Sequence, residues 1–166
     1  MSVDATDRRI SPDDLISAAL AFPSFKSGDH LEAAAESFLT QIAQDATEDD
    51  VQGLTSADLA ALADGFWRWT SHKRADAQDI RLIDAKGAQG QSLGRDILEI
   101  CGPDMPFLVD SVMGEIGAQG VEVRAMFHPI VSLSRDPDGM RQPGGVPLTE
   151  SFIQVHLPPT PPSKRD

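Results

Sequence analysis

Between Arg95 and Leu157 the apolar periodicity of this chain changes three times, and the order of the changes limits what it can fold into. The run "RDILEICG" puts Ile97, Leu98 and Ile100 on both faces of a short segment, the pattern of a central strand. Helical spacing follows: Val109, Val112, Met113 and Ile116 form one stripe, and Gly120 is placed to end it in a left-handed cap. "VEVRAMFHPIVSLS" then alternates, with Val121, Val123, Ala125 and Phe127 against Glu122, Arg124, Met126 and His128. Pro129 has no N–H for a ladder, which predicts an edge strand or a bulge there. After the turn signal "RDPDGM", within a loop reaching Thr149, "SFIQVHL" alternates again with Ile153, Val155 and Leu157 on one side.

The order is strand, helix, strand, strand. A helical crossover makes the first two strands parallel, and a long hairpin brings back the third. That is three quarters of a ferredoxin-like βαββαβ unit, and the sequence stops where the second crossover helix should begin. The expected fold class is α+β: an N-terminal helical segment, then an incomplete ferredoxin-like βαββ unit with a mostly antiparallel sheet. One sheet face takes the helix and the other stays open. The chain is therefore expected to be a fragment, or to complete its sheet with another chain, because an uncovered edge invites pairing.

The first third reads as helices. In "SPDDLISAAL", Ser11 caps, Pro12 takes the first helical position, and Asp13 and Asp14 favour the positive end of the helix. A second helix is predicted from Asp29, with Glu32 at capping-box spacing and Leu31, Ala34, Ala35, Phe38, Leu39 and Ile42 on its inner stripe. "TEDDVQGL" offers another acidic start at Thr47, and a further helix from Ser56 aligns Leu59, Leu62, Phe66 and Trp69. Trp67 and Trp69 read as packing residues. "DIRLIDA" is strand-like, and the Gly-rich "KGAQGQSLG" reads as a turn lacking both phosphate-loop fingerprints. The predicted division is an acidic helical segment over 1–74, an α/β sandwich over 75–158 and a Pro-rich tail over 159–166.

Charge narrows the partners. The net charge is −12, of which residues 1–64 carry −10 and the remainder −2. Such a chain repels phosphate backbones and anionic bilayers, so neither nucleic acid nor a membrane is expected as a partner. The single cysteine, Cys101, permits neither an internal disulfide nor a cysteine-based zinc site. The polar start "MSVDATDRRISPDD" lacks the apolar stretch of a signal peptide, and a cytoplasmic location is expected.

The stretch "GPDMPFLVDSVMGEIGAQGVEVRAMFHPIV" resembles the ligand-binding unit of ACT domains: an Asp-x-Pro entry, an apolar helix, a terminal Gly and an alternating strand. More narrowly, "DMPFLVDSV", the His-Pro of "FHPIV", "RDPDG", "ESFIQVHL" and the lead-in "DGFWRWTSHKR" resemble the N-terminal region of the large bacterial NAD-specific glutamate dehydrogenases. This resemblance runs from about Ser56 to Leu157. It implies an ACT-like, non-catalytic regulatory or assembly module. In the longer parent enzyme, glutamate is oxidatively deaminated to 2-oxoglutarate with NAD at a dehydrogenase domain far downstream. It further implies no cofactor in this segment, other domains or subunits of the same enzyme as partners in a homo-oligomer, and an amino-acid effector as a further ligand.

Two sets of residues are candidates. Asp104, Met105, Pro106 and Phe107 form the strand–helix junction. There Asp104 is either a helix N-cap or the contact for an effector's ammonium. Phe107 stands where amino-acid-binding ACT domains usually carry Gly, so Met105 and Phe107 read as interface residues. Met126, His128, Phe152 and His156 are expected on the open face as a contact surface for protein, with the two histidines opposite one another. Two rival readings are a stand-alone ACT-like amino-acid sensor and a small hydrolase or metal enzyme using His128, His156, Asp104 or Cys101.

Overall fold

The computed structural model describes residues 10–74 and 76–161. Helix α1 (Pro12–Ala19) starts as its sequence predicts, with Ser11 Oγ accepting from Asp14 N–H at 3.1 Å. A single 3-10 turn at Pro23–Phe25 drives Phe25 into the core. The chain then forms a minimal hairpin, β1 (Lys26–Ser27) and β2 (His30–Leu31), around Gly28 at φ 65°. This hairpin displaces the predicted helix start: α2 (Ala33–Asp45) begins four residues after Asp29, with Glu32 in the N-cap position. At Thr47 the reciprocal bonds of a capping box do form with Asp50, at 2.9 and 3.2 Å, but the chain only turns there, through Gly53 at φ 80°.

Helix α3 (Ser56–Trp69) carries a complete capping box between Thr55 and Asp58. The other oxygen of Asp58 accepts from Ala88 N–H and Gln91 Nε2, both at 3.0 Å. Those two residues lie in the turn joining β3 (Asp79–Lys86) to β4 (Ser92–Pro103). Burial pushes the Asp58 carboxyl up, but the bonds from Ala88, Thr55 and Gln91 outweigh it and hold the group below its ordinary value. One carboxylate thus caps a helix and pins it to the first hairpin of the sheet.

The remaining elements are α4 (Leu108–Ala118), β5 (Ala125–Phe127), β6 (Ile130–Arg135), β7 (Arg141–Gln142) and β8 (Leu148–Leu157). All pairings are antiparallel, in the order β3-β4-β8-β6-β7, with β5 also on β8. β5 and β6 are one strand broken at His128–Pro129, where Phe152 N–H donates to Pro129 O at 2.9 Å. Strand β4 and the β5–β6 strand run the same way, as the crossover requires, with β8 inserted between them. No strand forms over 121–123, so the alternation holds only from Ala125.

In a βαββαβ unit the fourth strand pairs with the first. Here β3, from before the unit, takes that position beside β4. The sheet is therefore completed from within the chain on that side.

The two sheet faces have separate cores. Helix α4 covers Ile100, Ile153, Val155, Leu98 and Met126 with Ile116, Val112 and Met113. The opposite face, expected to be open, is covered by α1, α2 and α3 of the same chain. Phe152 is fully buried there, its ring 5.2 Å from Phe38, 5.5 Å from Phe66 and 5.7 Å from Trp67. Segments 1–74 and 75–158 thus share one core among the described residues.

Candidate functional site

The strand–helix junction takes an unexpected course. Asp104 does not cap α4: its side chain makes no capping bond, and its N–H donates to Thr149 O at 3.1 Å. The N-cap is Phe107, in the left-handed region at φ 65°. A side chain with a Cβ is strained there, and among the described residues Phe107 alone among non-glycines adopts a positive φ. The backbone keeps a conformation suited to glycine while presenting a phenyl ring that is 76 % exposed.

Gln78 holds the junction from the side. Its Nε2 donates to Pro103 O at 2.8 Å and lies 3.7 Å from the sulfur of Met105. The side chain packs so closely over Gly102 that a Cβ there would sit 2.2 Å from Gln78 Oε1, which requires glycine at 102. Ile80 and Leu82 of β3 pair with Ile100 and Leu98, whose side chains point toward α4, so they share that face. α4 does not reach them: Ile80 is 64 % and Leu82 49 % exposed, beside Met105 at 52 %. The apolar surface of this protein therefore lies on the α4 side of the sheet, next to the junction.

The two histidines do not converge. His128 lies on the α4 side, with Nε2 2.5 Å from Ser151 Oγ and its N–H donating to Asp45 Oδ2 at 3.2 Å. Burial pushes its pKa down, against the fields of Asp104 and Asp45. Thus Asp104 and His128, from different predicted sets, are neighbours. His156 lies across the sheet, fully buried against Phe127 under the helical layer. Met126 packs under α4 and Phe152 under the helices, so the four residues assigned to one open surface divide between two covered faces. Among the described residues, no three metal-ligating side chains cluster.

His156 belongs to a buried polar chain whose donors and acceptors can be assigned. Arg81 Nε donates to Glu99 Oε1 at 2.7 Å, and Gln154 Nε2 donates to Glu99 Oε2 at 2.9 Å. Gln154 Oε1 must then accept from His156 Nε2–H, at 3.0 Å. That leaves Nδ1 to accept from Arg95 Nη1 at 3.2 Å. The ring is neutral in its Nε2–H form, and burial followed by the Arg95 charge lowers its pKa to about 3.

A second polar group fastens the helices to the sheet. Arg135 donates two bonds to Glu150, and its remaining N–H groups reach the carbonyls of Thr70, Ser71 and Gly139. Arg141 stacks 3.7 Å above the Trp67 ring and donates to Trp67 O at 2.9 Å. Both guanidiniums meet the C-terminal end of α3, where free carbonyls and the helix field favour cations. Cys101 shares this environment, its thiol donating to Glu150 Oε1 at 3.4 Å. Burial and the Glu150 charge push its pKa up, so it is no nucleophile.

These features describe a rigid ACT-like sheet with a strained aromatic junction. Comparison with protein families gives a match over residues 38–164 to the family described as glutamate dehydrogenase, ACT1 domain. The chain belongs to that family. The match covers about three quarters of it and includes the whole six-stranded sheet. No curated protein and no solved structure matches it. As a glutamate dehydrogenase ACT1 domain it is a part of a multidomain oxidoreductase, with other domains or subunits of that enzyme around it. No described helix is long and apolar enough to cross a membrane. Arg135, Glu150, Arg141, Glu99 and Gln78 were not among the residues singled out from sequence. Glu150 had a signal: it falls on the same side of its strand as the inward-facing Phe152.

Proposed function

We propose that this ACT1 domain is a non-catalytic regulatory and assembly module of an NAD-dependent glutamate dehydrogenase of the cytoplasm. The parent enzyme converts L-glutamate, NAD and water to 2-oxoglutarate, ammonium and NADH. In this reading NAD is bound elsewhere in the parent, and this segment carries no cofactor. The family match over residues 38–164 carries the proposal.

The geometry around Phe107 supports its assembly half. The exposed Phe107, Met105, Ile80 and Leu82 lie on the face that α4 leaves partly uncovered, and aromatic residues and Met are enriched where proteins meet. The partners are neighbouring domains or subunits of the same enzyme, arranged as a homo-oligomer. An effector acts by biasing that packing. The strained backbone at Phe107 is consistent with a site kept for contact rather than for stability.

The test is an assay of the purified chain with glutamate and NAD, beside the parent enzyme with and without this segment. No NADH from the chain alone, together with an altered oligomeric mass of the shortened parent, fits the proposal. NADH production by the chain, or an unchanged mass and unchanged glutamate response on its removal, contradicts it.

A further inference from the structure

A cavity of about 430 Å³ lies between the start of α2 and the β6–β7 hairpin, and none of the junction residues 104–107 lines it. Its walls include Arg141 from the hairpin and Glu32 from the α2 N-cap. The guanidinium of Arg141 is fixed from behind: Trp67 stacks on it, Trp67 O takes one N–H and Thr70 Oγ1 another at 3.3 Å. A guanidinium has five N–H groups, so donors remain for the cavity. Burial, and then Arg135, lower its pKa to about 10, which leaves it cationic at neutral pH.

Glu32 is the second charge. Its carboxylate acts on Arg141 through space but makes no ion pair with it. Among the described residues nothing donates a hydrogen bond to that half-buried carboxylate. A fixed cation and a fixed anion thus border one cavity without touching. The hydroxyls of Ser27 and Ser132 also line it, and neither has a hydrogen-bond partner among the described residues.

We infer that this cavity binds a small zwitterion of the α-amino-acid class, its carboxylate on Arg141 and its ammonium on Glu32. Charge selects the class. A simple anion would meet the Glu32 carboxylate, and a simple cation would meet Arg141. A neutral solute would leave two partly desolvated charges without partners, which is costly. The volume holds a small amino acid, and the opposed charges exclude polyphosphates. The inference rests on the regulatory reading only for its purpose, since binding is a property of this chain alone.

The experiment is an NMR titration of the isotope-labelled chain with glycine, L-alanine and L-glutamate, using acetate and methylammonium as single-charge controls. The expected result is saturable movement of the Glu32, Ser134 and Gly144 amides by at least one zwitterion, with weaker effects from both controls. Glu32→Gln should weaken the zwitterion by about tenfold or more, as expected for losing a charge-assisted bond, while leaving acetate binding intact. Arg141→Lys should weaken both, and the spectrum of Glu32→Gln verifies a fold in which the test remains valid even where Arg141→Lys perturbs packing. No saturable shift with any zwitterion, equal affinity in Glu32→Gln, or shifts confined to residues 104–108 overturn the inference. Binding at the cavity without effect on a parent dehydrogenase supports the site and counts only against the regulatory reading.

Discussion

Arg135 and Glu150 form a two-bonded ion pair, 2.6 and 3.0 Å long, with essentially no exposed surface on either side chain. The pair spans β6 and β8, and through the Thr70 and Ser71 carbonyls it also holds the end of α3. Burying two charges is costly, and the geometry here offsets the cost by filling nearly every donor of Arg135.

Removing one partner should therefore be severe. Arg135→Ala leaves a buried, unpaired carboxylate and is expected to cost about 3–5 kcal/mol, read from urea unfolding. Replacing both residues with apolar ones, Arg135→Met with Glu150→Leu, should recover most of that loss. A cost of Arg135→Ala no greater than that of an ordinary surface substitution would show that the pair does not fasten the layers.

His156 should make the fold sensitive to acid. Its pKa lies at about 3 in the folded chain, against 6.5 for the free side chain. Between those values the unfolded state binds more protons, so stability falls as pH drops through that window. From pH 6.5 to 4.5 the loss from this residue alone is about 2–3 kcal/mol. His128, also lowered, acts in the same direction. Glu99, pushed up by burial, acts in the opposite one, because protonating it favours the folded state. His156→Gln should flatten the dependence of urea midpoints on pH over this range, and parallel curves for the two proteins would contradict the assignment.

The strain at Phe107 has a measurable sign. Its ring is largely exposed, so little packing is lost on truncation, and glycine accepts a φ of 65° without the steric cost of a Cβ. Phe107→Gly should raise the unfolding free energy by about 0.5–1 kcal/mol, after allowing for glycine's greater freedom in the unfolded chain. Destabilisation by a similar amount would mean that the ring packs in solution.

The local grammar of the fold was legible in the residues. Ser11 and Pro12 mark α1, the Thr55–Asp58 spacing marks α3, and Pro129 marks the break between β5 and β6. What the pattern hid were pairings across long stretches of sequence. Gln154 and His156 look like outward residues because they are polar, yet Glu99 and Arg95, more than fifty residues earlier, satisfy them in the core. Covering that face needed no partner, only the chain's own helices. Asp104 carried every sign of an N-cap, but the chain ties its backbone to Thr149 and turns three residues later. The charges around the cavity, Glu32 and Arg141, lie on elements that sequence spacing does not bring together.

The central claim is that this chain organises a glutamate dehydrogenase through the α4 side of its sheet and performs no chemistry itself. The most direct measurement is on the parent enzyme carrying Phe107→Ser with Ile80→Glu: its mass by light scattering and its glutamate saturation curve. The account predicts a smaller assembly and a shifted glutamate response, with kcat at saturation preserved. An unchanged mass and curve, or a loss of kcat with the assembly intact, would contradict it.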